Sequence, residues 1–169
     1  SPLIHCITNY VTAGDTANML LAAGASPIMA DDPSESAEIT ALAQGLTLNL
    51  GTPSGFRVEA MLRSGAEANR RGIPVVFDPV GAGCSGFRRN SAGEILRRVR
   101  LTAIRGNLSE ISYLAGFESR ENGVDSSETR ITAAEAAQTA AKKLGCVCAV
   151  TGERDVISDG SRTVTILSG

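Results

Sequence analysis

The sequence predicts an α/β protein: a three-layer sandwich with a mostly parallel sheet and helices on both faces. Three observations predict it. Short apolar runs alternate with longer amphipathic stretches along the 169 residues. Repeated strand–helix–strand units imply parallel strands joined by crossovers. Polar residues and glycines follow the apolar runs, where open parallel sheets gather their ligands.

The strands come first. Residues 26–29, Ser-Pro-Ile-Met, form one, and residues 46–50 a second. Residues 73–80 contain the continuous run Val75-Val76-Phe77, expected of a strand covered on both faces. Residues 101–104 form a fourth and residues 146–151 a fifth. Val156-Ile157 and residues 163–167, joined by Asp159-Gly160, read as a hairpin.

Helices fill the gaps. Residues 12–23 end at Gly24, a favourable C-cap, with Thr8 or Asn9 as a candidate N-cap. Asp32-Pro33-Ser34-Glu35 carries an acid, a proline and a glutamate at helix-start spacing. Further helices are expected over residues 55–71 and about 90–98. Asn107 with Glu110, and Thr132 with Glu135, have capping-box spacing; the second helix closes at Lys142, Lys143 and Gly145. Residues 118–131 are polar and read as an excursion within one domain spanning 1–169.

Composition excludes several functions. Apolar residues make up 43% and charged residues 20%, with a formal net charge of -2 and no Trp. There is no basic stripe and little stacking surface, so a nucleic-acid partner is not expected. No apolar run approaches the ~18–20 residues that span a bilayer. A cytoplasmic protein is expected. Four cysteines, Cys6, Cys84, Cys146 and Cys148, lack zinc-site spacing and are expected reduced and metal-free; His5 is the only histidine.

The strand ends carry the chemistry. Asn49-Leu50-Gly51-Thr52 follows the second strand and Asp78-Pro79-Val80-Gly81-Ala82-Gly83 the third. Arg105, Gly106, Asn107 and Glu110 follow the fourth, and Thr151-Gly152-Glu153 the fifth. Gly81 to Gly86 fits G-x-G-x-x-G, but Asp78-Pro79-Val80 intervene and the helical pattern starts only near residue 88, which argues against a dinucleotide fingerprint. Asp78 either binds Mg²⁺ or caps a turn. Glu110 is either a second acidic group or a capping-box partner. Arg105 pairs with phosphate oxygens or with a surface acid. Thr151 holds a phosphate or ribose oxygen, or forms a turn. Met29 is core filler unless a pocket opens beside it.

Six blocks, at residues 4–10, 24–30, 49–52, 78–83, 104–110 and 149–153, resemble hydroxyethylthiazole kinases in the same order and span nearly the whole chain. The resemblance implies a ribokinase-like fold. It also implies transfer of the ATP γ-phosphoryl group to the hydroxyl of 4-methyl-5-(2-hydroxyethyl)thiazole in thiamine salvage, with Mg²⁺, by a homotrimer with interfacial sites. By position it places Met29, Asn9, Gly51 and Thr52 at the substrate, Arg105, Thr151 and Asn107 at ATP, and Asp78 and Glu110 at the metal. The family's Gly-x-Gly-Cys motif, an anion hole at a helix N-terminus, has no counterpart in these residues. The expectation is therefore a catalytic residue beyond Gly169, a C-terminally truncated domain and a chain inactive alone. Alternatives are a non-catalytic nucleotide- or thiazole-binding remnant and a kinase for another hydroxyl-bearing heterocycle.

Overall fold

A computed structural model describes residues 1–117 and 131–167. The polar stretch read as an excursion falls, but for Ile131, outside the described residues, as does Gly169. The chain divides into two compact units, Ser1–Thr102 and Ala103–Gly169.

The first unit holds β1 (Leu3–Ile7), α1 (Ala13–Ala22), β2 (Ser26–Ile28), α2 (Ser36–Leu42), β3 (Gly45–Asn49), α3 (Gly55–Arg71), β4 (Val75–Asp78) and α4 (Gly86–Arg98). Its strands run in the order β2-β1-β3-β4, all parallel. Ile7, Leu46, Leu48, Leu50, Met61 and Phe77 are sealed in its core. Fully burying a side chain of this size is worth roughly 1.5–3 kcal/mol.

Five sequence readings need correcting here. β1 was not anticipated: His5 interrupts its apolar pattern, yet His5 is itself fully buried. Val76 was expected to be covered. The pleat sends Val75 and Phe77 to one face, where both are fully buried, and Val76 to the other, where it is 38% exposed. The Asp32 motif does not cap a helix: Asp32 Oδ1 accepts from Ser34 N at 2.8 Å and Ser34 Oγ at 2.7 Å, a local turn, and α2 begins at Ser36. α4 begins at Gly86 because Ser85 Oγ accepts from Arg88 N at 3.2 Å, which ends the glycine loop on a helix N-terminus. The first helix also starts late, at Ala13, with Thr12 rather than Thr8 or Asn9 at the N-cap position.

The second unit holds β5 (Ala103–Asn107), α5 (Leu108–Ala115), α6 (Ala133–Leu144), β6 (Val147–Thr151), β7 (Asp155–Ser158) and β8 (Thr163–Ile166). β5 and β6 are parallel, and β6-β7-β8 is an antiparallel meander whose last turn is the expected hairpin. Both capping boxes form in full. Ala136, Ala137 and Ala140 are buried with Ile104, Ile111 and Val150. No helix among the described residues is long and apolar enough to cross a membrane. All four cysteines are free thiols. Cys146 and Cys148 are buried and hydrogen-bonded to each other, and that contact together with burial pushes the Cys148 thiol far up.

Candidate functional site

In the first unit the ends of β1, β2 and β3 bring the predicted substrate residues together. Asn9 Nδ2 donates to Asn49 Oδ1 at 3.0 Å, and Gly51 N donates to the same oxygen at 2.9 Å. Asn9 Oδ1 in turn accepts from Thr12 N and Thr12 Oγ1, at 3.0 and 3.1 Å, fixing the turn into α1. A Cβ on Gly51 would stand 2.8 Å from both Asn49 Oδ1 and Asn9 Cβ, so only glycine fits this junction.

Beside the junction lies a pocket of about 130 Å³ whose lining includes Cys6, Thr8, Tyr10, Met29, Ala30 and Asp31. That is small beside the ~300–1,000 Å³ of drug-sized sites, and suits a single small ring. Met29 is 39% exposed, so it is pocket wall rather than core filler.

The sequence reading missed the group that fixes this wall. Arg57, on the first turn of α3, is 2% exposed. Its Nε donates to Asp31 Oδ2 at 3.2 Å, and its Nη1 donates to Thr52 O at 2.9 Å and Thr52 Oγ1 at 3.1 Å. The Tyr10 ring lies over the guanidinium, 4.0 Å from centroid to Cζ, and the Tyr10 hydroxyl donates to Asp31 Oδ2 at 3.0 Å. Thr52 sits at φ 41, a left-handed conformation that a β-branched residue holds only when its surroundings over-determine it. Arg57 provides that restraint. No spacing rule links residues 10, 31, 52 and 57; the only local signal was an arginine within a helix start.

Under the pocket, His5 Nε2 is 2.7 Å from Ala30 O and Nδ1 is 2.8 Å from Thr40 Oγ1. A carbonyl only accepts, so Nε2 carries the proton. Burial pushes the imidazole pKa down, against smaller opposing effects of Ala30 and Glu35.

Asp78 ends β4, half-buried, with Asn49 as its register partner on β3. Arg88, also missed, donates from Nη1 to Leu50 O at 2.8 Å and Val80 O at 2.6 Å, tying together the loops that carry Gly51 and Asp78.

The second unit gathers its own predicted residues. Arg105 and Asn107 alternate on β5 about the buried Gly106, and Asn107 is the register partner of Thr151. Thr151 Oγ1 donates to Gly106 O at 3.2 Å. Asn107 Oδ1 accepts from Glu110 N and Glu110 Oε2 accepts from Asn107 N, each at 2.9 Å. The capping-box reading of Glu110 therefore holds, and it leaves an acidic role open. No group of three or more His, Cys, Asp or Glu among the described residues is placed to hold a metal.

The hydroxyethylthiazole kinase family model matches residues 1–169. The chain belongs to the hydroxyethylthiazole kinase family. It is 54% identical over 171 residues to a hydroxyethylthiazole kinase of Ruminiclostridium cellulolyticum, covering 99% of this chain and 63% of that protein. The solved hydroxyethylthiazole kinase of Pyrococcus horikoshii superposes with a TM-score of 0.87 at 40% identity, over 99% of this chain and 62% of that one. Adenosine kinase of Sinorhizobium meliloti, at 14% identity and a TM-score of 0.60, shares the ribokinase-like fold. The chain thus spans less than two thirds of the length of these kinases.

Proposed function

We propose that this family member phosphorylates the hydroxyl of 4-methyl-5-(2-hydroxyethyl)thiazole with ATP, in thiamine biosynthesis or salvage. The observation that carries the proposal is the small Met29–Tyr10–Asp31 pocket at the strand ends, in a chain whose relatives are named for this activity. In the reaction the acceptor oxygen forms a bond to the γ-phosphorus, the bond from that phosphorus to the β,γ-bridging oxygen breaks, ADP leaves with the electron pair, and the hydroxyl proton is released to water.

Such transfers depend on positioning and charge neutralisation more than on covalent chemistry. Met29 packs on the thiazole ring while Asn9, Gly51 and Thr52 shape the floor. From the second unit, Arg105, Asn107 and Thr151 contact ATP. Asp78 and Glu110 each offer a carboxylate, a hard oxygen donor of the kind Mg²⁺ prefers. When bound, Mg²⁺ offsets the charge that builds on the transferring phosphoryl group.

A homotrimer is proposed on the surface of α1. That helix has no buried residue, and Tyr10, Val11, Met19 and Leu21 are 75%, 80%, 71% and 58% exposed. Apolar surface of this kind marks an association face. A cytoplasmic location completes the proposal. The test is ATP- and Mg²⁺-dependent phosphorylation of the thiazole alcohol by the natural full-length protein. Absence of product, with ADP release on another small alcohol, would replace the substrate but keep the kinase.

A further inference from the structure

Met29, Ala30 and Asp31 line the pocket, yet they lie beyond the end of β2 at Ile28. β2 is an edge strand, and its last register pair with β1 is Ile28 with His5. Past that rung the pocket wall is held by side chains. Arg57 and Tyr10 take hold of it at Asp31. His5 takes hold of it at Ala30, whose carbonyl oxygen lies 2.7 Å from Nε2. The imidazole is fully buried, and Thr40 of α2, also fully buried, backs it at Nδ1.

The two ring nitrogens do different jobs. Ala30 O only accepts, so Nε2 keeps its proton whether the ring is neutral or charged. Nδ1 faces a hydroxyl, which can donate or accept, and that hydroxyl has a second acceptor of its own in Ser36 O at 2.9 Å. The Nε2 contact fixes the wall; the Nδ1 contact fixes the ring. We propose that His5 is a positioning residue for the phosphoryl acceptor: through Nε2–H and Ala30 O it sets where Met29 and Asp31 stand, and so the affinity for the alcohol. It acts through Ala30 rather than on the substrate itself. The inference rests on the thiazole-pocket reading and adds a residue that governs that pocket from beneath.

Two amides separate the two nitrogens. The Gln amide nitrogen reaches as far from Cβ as Nε2 does, whereas the Asn amide reaches only as far as Nδ1. Steady-state kinetics of the natural full-length protein with 4-methyl-5-(2-hydroxyethyl)thiazole and ATP reads the difference. His5→Asn is expected to raise the acceptor KM about 10-fold, with kcat and the ATP KM within about 2-fold, the pattern of lost ground-state positioning. His5→Gln is expected to bring the acceptor KM back to within about 3-fold of wild type, because it restores the donor to Ala30 O. Thr40→Val removes the partner of Nδ1 and keeps the volume; it is expected to lower the melting temperature and leave the acceptor KM unchanged.

A wild-type KM in His5→Asn overturns the inference. So does a KM in His5→Gln or Thr40→Val as high as in His5→Asn, because His5 would then be core packing alone. A wild-type measurement decides the matter even if His5→Asn does not fold. Nitrogen NMR of the buried ring is expected to show the proton on Nε2, with an N–H resonance that moves on saturation with the thiazole alcohol and not with ADP. A proton on Nδ1, or a resonance indifferent to the alcohol, overturns it. If the wild type phosphorylates a different small alcohol, the same KM pattern on that alcohol replaces the substrate and keeps the role of His5. A wild type that turns over no small alcohol overturns both readings.

Discussion

Arg57 and Asp31 meet at 3.2 Å with very different exposure: 3% for the arginine side chain and 34% for the aspartate. The pair is therefore asymmetric. Removing the carboxylate strands a buried cation, whereas removing the cation leaves a carboxylate that water can reach. Asp31→Ala is expected to cost about 2–3 kcal/mol, below the ~3–5 of a fully buried pair. Arg57→Met keeps apolar contact with Tyr10 and is expected to cost about 1 kcal/mol, the hydrogen bonds to Thr52 being the main loss. Urea unfolding of the full-length protein checks the order; a costlier Arg57→Met would show that the carbonyl contacts, not the charge pair, hold the wall.

Gly51→Ala places a methyl 2.8 Å from Asn49 Oδ1 and Asn9 Cβ. The Asn9–Asn49 bond must open or β1 and β3 must part at their ends. Overpacking of this kind costs about 1–3 kcal/mol. The acceptor KM is expected to rise more than kcat falls, because the junction shapes the pocket floor and not the phosphoryl centre. A variant with native thermal stability and unchanged KM would remove Gly51 from the site.

Local chemistry was readable in the sequence; long-range chemistry was not. The Asn107–Glu110 and Thr132–Glu135 capping boxes formed as spaced, because both partners lie within one helical turn. Asp32-Pro33-Ser34-Glu35 has the same spacing, but Asp32 turned its oxygen to Ser34, a competing local bond that spacing cannot rank. β1 was hidden because His5 looks polar, and only tertiary folding supplies Ala30 O and Thr40 as its buried partners. Asn9 and Gly51 were placed at one site, and they do share Asn49. The residues that brace that site, Tyr10, Asp31 and Arg57, meet only across separations of 21 and 26 residues.

His5 links stability to pH. Burial holds its pKa below the ordinary 6.5, so below that pH the unfolded chain binds a proton that the folded chain resists. The stabilisation is complete above 6.5 and declines as pH falls toward the folded-state value. His5→Gln is expected to be less stable at pH 8 and to have a flatter stability profile between about pH 5 and 7. Thr40→Val leaves Nδ1 without its partner and is expected to cost about 1–2 kcal/mol at pH 8. Unfolding midpoints across pH would show a profile identical to wild type in His5→Gln if another group titrates instead.

Glu110 is asked to do two things, and one substitution separates them. Its Oε2 closes the capping box on Asn107 N at 2.9 Å, a role that glutamine also fills. Glu110→Gln is therefore expected to change stability by less than about 0.5 kcal/mol, whereas Asn107→Ala loses the N-cap oxygen and costs about 1 kcal/mol. The amide carries no charge to offer Mg²⁺, so under the proposed mechanism Glu110→Gln lowers kcat/KM at limiting Mg²⁺ by about 10-fold or more, with partial recovery as Mg²⁺ is raised. Asn107→Ala is expected to lack that recovery, because it loosens the start of α5 without removing a carboxylate. If Glu110→Gln retains both its stability and the wild-type Mg²⁺ dependence, the glutamate is a helix cap alone, and the metal's carboxylate must come from Asp78.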